Sequence, residues 1–132
     1  FKTYAQQILD NAKKLAEELQ SLKFKLVFGG TENHMILIDV VESFGISGSE
    51  AQKMLEEVGI TTNKNIIPND KSGAFNPSGL RIGVPAITTI GAKVEDMIVL
   101  AELLLRGLTY SSELEKLKLK EEVLKFRKKL DN

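Results

Sequence analysis

All three prolines of this chain, Pro68, Pro77 and Pro85, fall within residues 63–89, together with the asparagines Asn63, Asn65, Asn69 and Asn76. Proline has no backbone N–H, holds φ near −65° and pushes the residue before it out of helical conformation. No continuous helix runs through such a segment, yet the sequence on either side of it is helical in pattern. The fold must therefore hold an extended, loop-rich middle inside a frame of helices. One arginine, Arg81, stands in that middle among small and apolar residues.

Upstream, Tyr4, Ile8, Ala12, Leu15, Leu19 and Leu22 recur at threes and fours, which puts them on one side of a helix, with Lys13, Lys14, Glu17 and Glu18 on the other. Ser47 and Glu50 have the S-x-x-E spacing of a capping box, predicting a helix that starts near Ser47 and buries Ala51, Met54, Leu55 and Val58. Gly59 suits its C-terminal stop. Downstream, Val94, Met97, Ile98, Ala101, Leu104, Leu105 and Leu108 form the strongest helical stripe in the chain. Ser111 or Ser112 caps a last helix whose stripe is Leu119, Val123, Phe126 and Leu130; this face either docks on the core or binds a partner.

The strand signals are shorter. Residues 24–28 and 34–41 are apolar runs joined by Gly29, Gly30 and Asn33, a β-hairpin pattern. In its second strand His34, Ile36, Ile38 and Val40 line one face and Met35, Leu37, Asp39 and Val41 the other, so both faces are largely apolar and the strand is central. Leu80-Arg81-Ile82-Gly83-Val84 also alternates, with Arg81 and Gly83 on the side opposite Leu80, Ile82 and Val84. Helix, hairpin, helix, strand, helix, helix is the order of a small α/β sandwich of α+β type, a mainly antiparallel sheet covered by helices. At 132 residues the size prior gives one domain, 1–132, with a core over about 1–108 and a C-terminal helix over about 111–130.

Composition excludes several functions. Eighteen basic against eighteen acidic residues leave no basic footprint for nucleic acid and no attraction to membrane surfaces. No apolar run reaches the roughly 20 residues that span a bilayer, and no signal-peptide pattern opens the chain. It begins at Phe1, directly inside a helix, as a fragment does. With no cysteine and one histidine there is no disulfide framework, thiol nucleophile or structural zinc set, so no metal site is expected. A Ser-His-Asp triad would need His34, which reads as structural, and there is no G-x-S-x-G elbow. Gly29-Gly30-Thr31 lacks a nucleotide-binding spacing and reads as a tight turn.

Arg81 is the residue with chemistry to offer. Gly83 leaves the space beside it on its own face empty, and Ser78 and Gly79 before it are small, so its planar fork can meet a carboxylate. From the local pattern alone, a structural salt bridge fits equally well. Asn63, Lys64 and Asn65 precede Pro68 in an extended loop that places amides and an ammonium near the arginine strand, either as turn formers or as contacts to a polar heterocycle.

At these residues the sequence resembles the serine hydroxymethyltransferase family. Residues 29–34, GGTENH, are similar to the family's GGTDNH; residues 59–68, GITTNKNIIP, to GITVNKNTIP; residues 78–89, SGLRIGVPAITT, to SGIRIGTPAITT. Phe1-Lys2-x-Tyr4 and Asn11-Ala12 fit the helix leading into the family's C-terminal domain. The resemblance covers most of the chain and weakens after about Gly107.

The resemblance implies the small C-terminal domain of a pyridoxal-phosphate enzyme of the aspartate-aminotransferase type. The whole enzyme would be a cytoplasmic homodimer that interconverts serine plus tetrahydrofolate with glycine plus 5,10-methylenetetrahydrofolate. By position, Arg81 would bind the amino acid's carboxylate and Asn65 the folate's pterin ring. The family's Schiff-base lysine, catalytic glutamate and phosphate-holding residues have no counterpart here, so the cofactor would be held by the rest of the polypeptide. The chain alone is expected to be inactive. Three positions depart from the family: Glu32 replaces its usual Asp, Ile90 stands where Arg is common, and residues 70–77 vary the loop before the arginine strand. Two alternatives are a stand-alone, non-catalytic binding or assembly module and the small domain of another pyridoxal-phosphate enzyme.

Overall fold

The computed structural model describes residues 3–28, 35–73 and 75–131, with nothing said of the Asp131 side chain. The predicted turn at residues 29–34, including His34, lies outside the described residues, as do Phe1 and Lys2. Helix α1 spans Tyr4–Ser21 and starts where the Thr3 hydroxyl accepts the Gln6 N–H at 3.1 Å. Its apolar stripe is buried at Ala12, Leu15 and Leu19, while Tyr4 stays exposed and hydrogen-bonds with the Thr89 hydroxyl. Asn11, inside the same stripe, is fully buried. Its Nδ2 donates to Thr89's neighbour Thr88 (Oγ1) and to the Ala92 carbonyl, both at 2.9 Å, and its Oδ1 accepts from Gln7 at 2.8 Å. A buried amide is tolerable because it is satisfied on both sides.

Strands β1 (Leu26–Phe28), β2 (Met35–Asp39), β3 (Asn63–Asn65) and β4 (Gly79–Gly83) form one antiparallel sheet in the order β1-β2-β4-β3. The hairpin pairing and the central place of β2 are as expected. On one face Ile36, Ile38, Leu80 and Ile82 meet Leu15, Leu19, Leu55, Met97 and Leu104 in the core. Burying each such side chain contributes roughly 1.5–3 kcal/mol. An exposed pair such as Lys14–Glu18, at 3.1 Å, contributes a few tenths. The core, not surface charge, fixes where the helices lie.

Three short elements differ from expectation. The second hairpin strand stops at Asp39, whose carboxylate accepts the Glu42 N–H at 2.9 Å and so caps α2 (Val40–Phe44). Residues 63–65, expected as loop, are the edge strand β3, because β4 offers them a ladder. Val84 does not extend β4 but begins α4 (Val84–Thr89), with Pro85 in the first turn, where its missing N–H has no cost.

Helix α3 (Gly48–Glu57) starts on Ser47, whose hydroxyl accepts the Glu50 N–H at 3.1 Å, and ends before Gly59 at φ 94°. Met54 is only half-buried in it. Helix α5 (Asp96–Gly107) buries Leu100 and Leu103, whereas Ile98 is exposed and Leu105 half-buried. It contacts both α1 and α6 (Glu113–Asp131), so two partners shift its buried face away from a single stripe. Ser112 accepts the Glu115 N–H, and Leu119, Val123, Phe126 and Leu130 pack into the core rather than waiting for a partner.

Thr62 enters β3 only 5% exposed, and its hydroxyl has no hydrogen-bond partner among the described residues. A buried hydroxyl left unpaired costs about 1–3 kcal/mol, and valine has nearly the same shape. Thr62→Val is therefore expected to leave stability unchanged or raise it by about 1 kcal/mol in urea unfolding. A loss of similar size would reveal a partner for the hydroxyl.

Candidate functional site

On the face of the sheet opposite the core, β3 and β4 place Asn63, Asn65 and Arg81. Arg81 is paired across β4 with Leu37 on one side and Asn63 on the other; Asn65 is paired with Gly79. Directly paired residues share a face with Cβ atoms about 4.5–5.5 Å apart, and diagonal ones are about 7–8 Å apart. Arg81, Asn63 and Asn65 therefore form one cluster on one face. Lys64 does not join them. It pairs with Leu80 and lies beside Gly48 on the helix-covered face, so the ammonium expected near the arginine points away.

The two glycines flanking Arg81 are not equivalent. A Cβ at Gly79 would lie 2.6 Å from the Asn65 carbonyl oxygen, 2.7 Å from Ile67 Cγ2 and 3.0 Å from Leu37 Cδ1. That end is closed. Among the described residues a Cβ at Gly83 would meet nothing within 4 Å, so that end is open beside the arginine among them. Arg81 is half-buried, and the ion pairs of the described residues join Lys14 with Glu18, Arg106 with Glu122, and Lys116 with Glu57 and Glu113. The structural salt bridge is thus not made among them. Asn63 is exposed; Asn65 is half-buried and spends one N–H on the Ile66 carbonyl at 2.8 Å.

Behind Asn65 the chain leaves the sheet and returns at Gly79, folded around Asp70. The Asp70 carboxylate accepts from the Ser78 N–H and hydroxyl, each at 2.8 Å, from the Ser72 N–H at 2.9 Å and from the Ile67 N–H at 3.3 Å. These donors, the Ser78 N–H foremost, hold its carboxyl down at about 2 against the opposing effect of burial. Asp70 did not figure among the sequence candidates. The signal was the D-x-S spacing of Asp70 and Ser72, which allows an Asx turn.

A cavity lies elsewhere among the described residues. About 250 Å³ lies on the core side of β4, walled by Ile82, Ile87, Ile90, Leu104, Val123 and Phe126 among others. Ile90, the departure noted above, is part of that apolar wall and packs against the core instead of facing Arg81. Among the described residues no group of acidic or histidine side chains is placed to hold a metal ion. No described helix is long and apolar enough to cross a membrane. The strand residues on the Arg81 face include no lysine, so they do not fit the carbonyl-linking role in a pyridoxal cofactor site.

An antiparallel sheet with one face buried under helices and the other presenting an arginine and two asparagines defines a small α/β domain. The sequence comparisons give the family. The model of "Serine hydroxymethyltransferase" matches residues 1–104. A serine hydroxymethyltransferase of Mycoplasma mobile is 47% identical over 132 residues, covering 97% of this chain and 32% of the relative. A probable cytosolic serine hydroxymethyltransferase of Schizosaccharomyces pombe is 44% identical over 116 residues, covering 88% of this chain and 24% of the relative. The chain belongs to the serine hydroxymethyltransferase family and spans 24–32% of the length of these relatives.

Proposed function

We propose that residues 1–132 are the small C-terminal domain of a serine hydroxymethyltransferase, in which Arg81 binds the carboxylate of the amino-acid substrate and Asn65 contacts the folate. The observation that carries this is the half-buried Arg81 beside Gly83, where the space is open among the described residues, on the same sheet face as Asn65. A planar fork takes a carboxylate through two parallel hydrogen bonds. Two-point attachment fixes rotation about the bond to the α-carbon, which decides the bond that reacts. Pyridoxal 5′-phosphate supplies the electron sink when bound, and its site lies in parts of the parent outside this chain. Asn65 retains an N–H and its carbonyl oxygen for the edge of a pterin ring.

The parent interconverts serine plus tetrahydrofolate with glycine plus 5,10-methylenetetrahydrofolate, as a cytoplasmic homodimer. The cytosolic designation of the fission-yeast relative supports the location. The chain alone is inactive, because it brings one wall of the site. The test is serine-to-glycine turnover with tetrahydrofolate by the full-length parent, and the same assay on its Asn65→Ala variant. Loss of one good hydrogen bond to the ring is expected to raise KM for tetrahydrofolate about tenfold or more. No turnover by the parent would overturn the family activity; an unchanged folate KM would overturn the role of Asn65.

A further inference from the structure

The two ligand-facing residues are not held with equal firmness. Arg81 lies in the middle of β4, which is laddered to β2 through five successive pairs, Met35 with Gly83 through to Asp39 with Gly79. Asn65 is the last residue of a three-residue edge strand, and no described strand pairs with its outer side. Its position depends on how the chain continues.

That continuation is governed by one carboxylate. Asp70 accepts a hydrogen bond from Ile67, two residues after Asn65, and two from Ser78, the residue before Gly79, which is the register partner of Asn65. The outgoing and returning limbs are thereby tied together at the level of the Asn65–Gly79 pair. The tie also sets Ile67 over the bare α-carbon of Gly79, where its Cγ2 stands 2.7 Å from the position a Cβ would take. The aspartate is ionised throughout the neutral range and acts as acceptor only, which matches a ring of N–H and O–H donors.

We propose that Asp70 is a positioning residue for the folate site: by tying residues 67 and 78 together it holds the Asn65 amide at its working place beside Arg81. The proposal rests on the assignment of Asn65 to folate, and its test separates the two. In the full-length enzyme, Asp70→Ala is expected to raise KM for tetrahydrofolate by up to the rise seen in Asn65→Ala, about tenfold, while KM for serine moves less than about twofold, because β2 keeps Arg81 in place. A purely structural role would lower the active fraction and leave both KM values alone.

Asn65→Ala and the double variant complete a cycle. If Asp70 acts through Asn65, the double variant has the folate KM of Asn65→Ala alone; costs that multiply overturn the proposal. An Asn65→Ala enzyme with normal folate KM overturns the assignment of Asn65 and, with it, this role for Asp70. Equal rises in both KM values also overturn it. Should Asp70→Ala not fold, Ser78→Ala removes the hydroxyl donor and leaves the other three hydrogen bonds; it is expected to shift folate KM in the same direction by a few-fold, and no shift overturns the proposal.

Discussion

In the full-length enzyme, Arg81→Lys is expected to lower kcat/KM for serine by on the order of a hundredfold, and Arg81→Ala by more. Lysine keeps the charge but is a point donor on a flexible stem, so it replaces two parallel contacts by one and leaves the carboxylate free to rotate. The folate KM is expected to change little, since Asn65 is held by β3 and by the Asp70 tie. Near-normal kcat and KM for serine in the lysine variant would remove Arg81 from the site. The fold is expected to tolerate both changes, because Arg81 makes no ion pair among the described residues whose loss would leave a charge uncompensated.

The largest stability effect is expected at Gly48, the first residue of α3. Its N–H donates to the Pro77 carbonyl at 2.7 Å, and a Cβ there would stand 2.4 Å from the Gly79 oxygen and 2.8 Å from the Pro77 oxygen. Both obstacles are backbone, so no side-chain rotation relieves the clash. Gly48→Ala is expected to cost about 3 kcal/mol or to prevent folding, at the upper end of what overpacking costs. Gly83→Ala, with no described residue near its Cβ position, is expected to unfold at the same temperature as the unaltered chain. Thermal unfolding of the two variants checks both; equal behaviour would show that the start of β4 can yield to α3.

Long periodic signals were legible in the sequence, and short elements were not. The stripe of α1, the Ser47 cap of α3 and the alternation of β4 each repeat a local rule over several residues, and the structure follows them. Helices α2 and α4 and strand β3 are decided by single local or tertiary facts: the Asp39 side-chain cap, the proline in a first turn, and a free edge on β4. Asn63-Lys64-Asn65 has little strand propensity, and treating it as loop hid the alternation that turns Lys64 away from Arg81. Alternation was enough to place Arg81 and Gly83 on one face. That the opening lies at Gly83 and not at Gly79 depends on Leu37 and Ile67, which are far apart in sequence and meet only in the fold.

The strand order carries a consequence for how the site comes into being. Strands β2 and β3 do not pair with each other; β2 is laddered to β1 and β4, and β3 joins the sheet through β4, the last of the described strands. Residues 40–78 separate β2 from β4, so the central ladder forms only after a long loop has closed, an entropic cost paid before any pairing returns. A chain that has collapsed around its helices but not yet inserted β4 has no sheet edge for β3 and no common face for Arg81 and Asn65. Folding and the creation of the face shared by Arg81, Asn63 and Asn65 are thus one event: the strand that completes the sheet delivers the arginine.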